Sequence, residues 1–133
     1  MPTAEKTARV AELATAMTEA KAIYLADFTG IDVAAVTALR RQLRGADTDY
    51  QVVKNRLAKL AAQNAGIGVL APHLTGPTAV AFANGDPAAP AKILDQFIAA
   101  GGKLVIKSGY VDGQLLSQDQ VRALAKLPSR TEL

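Results

Sequence analysis

The apolar residues of this chain keep changing period, and that alternation restricts the fold more than any other feature. Val10, Leu13 and Met17 recur at three- and four-residue spacing within residues 3–20, with Thr3 placed to cap, so this segment reads as an amphipathic helix. Residues 22–28 (AIYLADF) are a short continuous apolar run ending on Thr29-Gly30, the pattern of a buried strand closed by a turn. Asp32 opens a second helix whose inward stripe is Val33, Val36, Leu39 and Leu43 and whose stop is Gly45. Residues 49–54 (DYQVVK) alternate as a strand and run straight into Asn55, expected to cap a helix reaching about Asn64, with Gly66 beyond its end.

The same punctuation continues to the C-terminus. After a looser stretch through Pro72 and His73, residues 77–83 (PTAVAFA) read as a third strand ended by Asn84-Gly85. Asp86-Pro87 caps and starts a helix presenting Ile93, Leu94, Phe97 and Ile98 before Gly101-Gly102. Residues 103–111 (KLVIKSGYV) form a fourth strand, Asp112-Gly113 a tight turn and Leu115-Leu116 a short fifth strand, after which Ser117 caps a helix to about Leu127. Ser129, three residues before Glu132, marks the start of a further helix.

Strands alternating with helices are buried as an α/β (α+β) sandwich, a sheet with helices on one or both faces. The 133 residues suit one globular unit spanning 1–133, and 50% hydrophobic against 20% charged residues lies outside the disordered range. The absence of cysteine removes disulfides and thiolate zinc sites and makes a cytoplasmic location the expectation. Glu5, Lys6, Arg9, Glu12 and Glu19 break up any signal peptide, and no apolar run approaches the roughly 18 residues of a membrane span, so no membrane partner is expected.

Groups for catalysis are few. His73 is the only histidine and, beside Pro72, reads as a surface side chain. Gly66 and Gly68 lack a third glycine in register and follow a helix instead of a strand, so the dinucleotide fingerprint fails, and no phosphate-binding loop motif is present. Asp27, near the end of the first strand, occupies a position where some α/β enzymes place a carboxylate, although a lone aspartate there is more often a turn or cap group. No metal, cofactor or small-molecule substrate is expected.

The charge, by contrast, is localised. The formal net charge is +3, yet Arg40, Arg41, Arg44, Lys54, Arg56 and Lys59 face only Asp47 and Asp49 within residues 40–59, a local excess of about +4 by charge-pattern counting. Helical spacing groups Arg40, Arg41 and Arg44 on the second helix, and Arg56, Lys59 and Gln63 on the third. Between them Lys54-Asn55 stands where a strand meets a helix N-terminus, whose free N–H groups and dipole favour an anion. Two helical faces around one helix start therefore suit a phosphate backbone. From charge alone a solvated basic face explains the segment equally well. Aromatic residues are scattered, so contact with nucleic acid would be to backbone and shape and not to stacked bases.

At residues 50–61 (YQVVKNRLAKLA) the chain resembles the bacterial family of ribosomal protein ten, the stalk-base protein of the large subunit. Phe28-Thr29-Gly30-Ile31, Leu39-Arg40-Arg41-Gln42-Leu43-Arg44, Val53-Lys54-Asn55, Gly76-Pro77-Thr78-Ala79-Val80-Ala81-Phe82, Ile106-Lys107-Ser108-Gly109 and Leu124-Ala125-Lys126-Leu127-Pro128-Ser129-Arg130 carry the resemblance in order. It implies a ferredoxin-like sandwich with a mixed sheet of about four strands, no enzymatic activity, and docking on stalk-base ribosomal RNA beside ribosomal protein eleven. It also implies a C-terminal helix from about Glu132 that carries dimers of the acidic stalk protein, expected to be missing here, and repression of the protein's own messenger RNA. The RNA contacts it carries over are Lys54, Asn55, Arg40, Arg41 and Arg44, followed by Arg56 and Lys59, with Lys6 and Arg9 added from the first helix. Thr29 and Leu60 stand where the family often has basic residues. Two rival readings remain at this point: a small ligand-binding regulatory α/β module, and a small enzyme using Asp27.

Overall fold

The computed structural model describes residues 4–28, 33–111 and 113–126. Helix α1 (Ala4–Glu19) leads into β1 (Ala22–Asp27), α2 (Val33–Gly45), β2 (Thr48–Val53) and α3 (Asn55–Asn64); a 3₁₀ helix (Gly68–His73) precedes β3 (Thr78–Ala83), α4 (Ala88–Ala99), β4 (Val105–Val111), β5 (Gln114–Ser117) and α5 (Gln118–Ala125). The elements fall where the period changes, with ends displaced by at most two residues. The 3₁₀ helix is the exception: it is short and contains Pro72, so it offers no helical periodicity to read.

Local chemistry sets several ends. Ser117 caps α5 as expected, and reciprocally: its Oγ accepts from Gln120 N–H (3.3 Å) while Gln120 Oε1 accepts from Ser117 N–H (2.8 Å). Asp86 Oδ1 accepts from Ala88 N–H at 3.0 Å. Asn55 does not cap α3. Lys54 occupies the cap position without a side-chain hydrogen bond, and Asn55 is the first helical residue. The expected caps Thr3 and Asp32, and the helix start after Pro128, lie outside the described residues.

The sheet has five strands in the order β2-β3-β1-β4-β5, and each neighbouring pair is antiparallel. This corrects the expected mixed sheet of about four strands. Helices α2 and α4 each carry the chain over to a strand parallel to the one it left, but neither parallel pair is adjacent: β3 lies between β1 and β2, and β1 between β3 and β4. Interleaving two split βαβ units converts every hydrogen-bonded pair to antiparallel, the ferredoxin-like arrangement. The fifth strand folds back from β4, with Val111 opposite Gln114 and Gly113 at φ 77° in the two-residue loop.

Helices cover both faces. On one, Leu39 and Leu43 of α2, Ala91 and Leu94 of α4, and Val121 of α5 pack on Ala22, Tyr24, Ala26, Ala79, Ala81 and Ala83. On the other, Val10, Leu13 and Met17 of α1 and Leu57, Ala58 and Ala61 of α3 pack on Ile23, Leu25, Val80 and Phe82. The two central strands are thus buried on both sides, which is why they read as continuous apolar runs. Their alternation makes one face small and the other large. Tyr24 fills the small face and its hydroxyl donates to the Pro87 carbonyl, fastening the start of α4 to β1. Gly109 permits this: a Cβ there would lie 3.0 Å from both Tyr24 Cδ1 and Val121 Cγ2.

Candidate nucleic-acid interface

Strand β2 is an edge of the sheet, with β3 its one neighbour. Its alternation divides its contacts: Tyr50 packs with α2 on one face and Val53 with α3 on the other. The expected arrangement of two helical faces around one helix start therefore does not form. Helices α2 and α3 lie on opposite faces of the sheet, so Arg40 of α2 and Lys54 at the start of α3 reach the β2 edge from either side.

On the α2 side Leu39 and Leu43 are buried, which leaves Arg40, Arg41 and Arg44 exposed. The Arg40 guanidinium stands 5.6 Å from the Tyr50 ring centroid, a cation–π distance that holds it over the middle of β2. Arg44 lies toward the other end of the strand and lines a small cavity of about 150 Å³ with Asp47, Asp49 and Asn84, so its charge is set among acids. Asp47 turns the chain into β2 in the left-handed region (φ 58°), and its carbonyl accepts from Asn84 N–H at 3.0 Å.

Tyr50 is itself buried, and its hydroxyl has no hydrogen-bond partner among the described residues. Burial pushes the phenol above its ordinary 10.0, and Arg40 pulls it back. A folded-state value above the unfolded one gives stability that is complete below pH 10.0 and lost as pH rises through the folded value. Tyr50→Phe should therefore raise stability near neutral pH by about 1 kcal/mol, because a partnerless buried hydroxyl is removed, and abolish the tyrosine's share of the alkaline loss. Urea titrations at neutral and alkaline pH check both.

On the opposite side a groove of about 450 Å³ is lined by Glu5, Lys6, Arg9, Leu13, Val52, Val53, Lys54 and Leu57. It has an apolar floor and a largely cationic rim. The structure thus brings Lys6 and Arg9 of α1 together with Lys54, which lies 48 and 45 positions away in sequence. Arg9 is pinned to the edge strand: its Nη2 donates to Gln51 Oε1 at 2.7 Å and its Nη1 to Glu12 Oε2 at 3.4 Å. Lys54 is exposed at the uncapped start of α3, Arg56 is exposed, and Lys59 is half-buried. Leu60, 43% exposed, interrupts the basic face of α3. Asn55 is half-buried, and its Nδ2 donates across to the Gly76 carbonyl at 2.7 Å.

Gln51 and Lys107 were not legible as parts of this region. Gln51 is a neutral strand residue whose role comes from Arg9 reaching it, and Lys107 lies on β4, far along the chain, with its Nζ on the turn before β3. Asp27, at the end of β1, faces Lys107 electrostatically. His73 is half-buried in the 3₁₀ helix. Among the described residues no group of three or more His, Cys, Asp or Glu could hold a metal ion, and no helix is long and apolar enough to cross a membrane.

Comparison with known proteins agrees with the resemblance in the sequence. Residues 1–98 match the family model described as Ribosomal protein L10. The whole chain is 49% identical to the large ribosomal subunit protein uL10 of Acidothermus cellulolyticus, covering 77% of that protein. It is 47% identical over its full length to the uL10 of Streptomyces virginiae, covering 71% of it. It is 45% identical to the uL10 of Shouchella clausii over 93% of this chain and 75% of the relative. The chain belongs to the ribosomal protein L10 family.

Proposed function

We propose that the chain is a structural constituent of the large ribosomal subunit that grips ribosomal RNA along the β2 edge. One observation carries the placement: cations reach this exposed edge from both faces of the sheet, Arg40 over Tyr50 on one side and Arg9 on Gln51 on the other, with Lys6 and Lys54 beside Arg9 in one groove. Long flexible cations suit phosphates, and the first turn of α3 adds oriented backbone donors. Arg41, Arg44, Arg56 and Lys59 extend the cationic surface along the two flanking helices, and Asn55 holds the α3 start. Recognition is of RNA shape and backbone, since Tyr50, the aromatic residue of the β2 edge, is buried beneath Arg40 and offers no stacking platform.

The RNA is the stalk-base region of the large subunit, with ribosomal protein eleven as neighbour, so that the domain anchors the stalk that serves translation factors. The protein acts on the ribosome in the cytoplasm, catalyses no reaction, and can repress its own messenger RNA if that message copies the ribosomal site. The test is binding to a stalk-base RNA fragment across a salt series. Neutralisation of about six phosphates gives a slope of log K against log salt of roughly −4 to −5. A fragment bound no better than unrelated duplex RNA at every salt concentration would refute the reading.

A further inference from the structure

The turn before β3 is bolted in place from two sides by donors that the proposed phosphate contacts do not include. In the β1–β4 pairing Leu25 faces Ser108 and Ala26 faces Ile106, so Lys107 is the extra residue of a β-bulge. A bulge re-aims the side chain it carries. Lys107 Nζ donates to the Thr75 carbonyl and, at 3.0 Å, to Thr78 Oγ1, while the Thr78 hydroxyl lies 3.1 Å from the Gly76 carbonyl. From the opposite side Asn55 Nδ2 donates to that same Gly76 carbonyl at 2.7 Å. Gly76 itself has φ 66°, a conformation that suits glycine.

Two details mark this as more than a loop contact. Asn55, the first helical residue, commits its amide to the turn and leaves its Oδ1 buried without a partner among the described residues. Lys107 is also placed for internal use: two acceptors occupy its ammonium and Asp27 opposes its charge. Burial lowers its pKa from the ordinary 10.5, with Asp27 pulling the other way.

We infer that Lys107 is a positioning residue for the RNA interface: through the Thr75–Thr78 turn and Asn55 it holds the start of α3, and with it Lys54, against the β2 edge, without touching a phosphate itself. The inference rests on the proposed RNA-binding function. Lys54 is the residue before Asn55 and shares the groove with Val52 and Val53, so a shift of the first turn of α3 displaces Lys54 from Lys6 and Arg9.

The experiment measures binding of the whole chain to the stalk-base RNA fragment over a salt series, for Lys107→Met, Lys107→Arg, Thr78→Val, Asn55→Ala and the Lys107→Met/Asn55→Ala pair. It is run at a temperature where circular dichroism finds each variant folded. Lys107→Met is expected to weaken binding about tenfold and, by displacing Lys54, to make the slope shallower by up to roughly 0.7–0.9, a change that is absent in a Lys54→Ala background, whereas Lys107→Arg, which keeps the donors, stays within about twofold. Thr78→Val, which removes one acceptor of Lys107, reproduces part of the loss, and the double variant loses little beyond Asn55→Ala alone. A slope that Lys107→Met still makes shallower in the Lys54→Ala background would make Lys107 a phosphate ligand and overturn the inference. So would a lowered Tm with unaltered affinity, or additive losses in the double variant. Failure of the wild-type chain to bind would sink the RNA reading and this inference together; tight wild-type binding that Lys107→Met leaves intact sinks this inference alone.

Discussion

Alanine at Arg40, Arg44, Lys54 and Arg56 together is expected to flatten the salt dependence of RNA binding from a slope of about −4 to −5 to one of about −1 to −2. Each lost phosphate contact removes roughly 0.7–0.9 from the slope, so four lost contacts account for most of it. The placement of the helices makes the experiment more specific. Arg40 and Arg44 lie on one face of the sheet and Lys54 and Arg56 on the other, so the two pairs can be removed separately. If RNA straddles the β2 edge, each pair should take away about half of the change. A slope that responds to only one pair would mean that the RNA sits on a single face, and a slope unmoved by all four would remove these residues from the interface. Within the α2 pair Arg40 should matter more, because Arg44 is set among Asp47 and Asp49.

Leu13→Ala is expected to destabilise the fold by about 3 kcal/mol and lower Tm by roughly 10 °C. Leu13 is 1% exposed, packs between α1 and the large-residue face of the sheet, and also lines the groove that holds Lys6, Arg9 and Lys54. Removing it opens a cavity beneath α1 that neighbours on a sheet face cannot readily close. Thermal unfolding followed by circular dichroism measures the loss, and RNA binding well below Tm measures how far α1 loosens from the edge strand. A loss under about 1 kcal/mol would mean that α1 is not anchored through Leu13.

The elements themselves were legible because their causes are local. Leu39 and Leu43 recur four apart and both are buried; the run Ile23-Tyr24-Leu25 is buried on both faces; Ser117 caps its helix with its own side chain. Asn55 shows where local reasoning fails. It has a good capping side chain at a strand-to-helix junction, yet it bonds Gly76, twenty-one positions away, because the turn before β3 brings a carbonyl within 2.7 Å. The 3₁₀ helix failed for a different reason, since six residues with a proline inside carry no period.

The candidate site divides along the same line. That cations concentrate between Arg40 and Lys59, and that Arg40, Arg41 and Arg44 lie outside the buried stripe of their helix, follows from residue type and helical spacing alone. Which cations meet does not. The face on which a helix packs depends on the parity of the strand residues beneath it and on which strands become neighbours, and these are set by pairing between segments distant in sequence. Insertion of β3 between β1 and β2 left β2 at the edge, α2 and α3 went to opposite faces, and Lys6 and Arg9 joined Lys54 while Arg44 went to the acids. The elements, their buried stripes and the local excess of positive charge all follow from short-range periodicity and residue type. The all-antiparallel order, the two-sided cationic edge and the Lys107 bulge do not, because strand pairing and a re-aimed side chain are consequences of long-range packing.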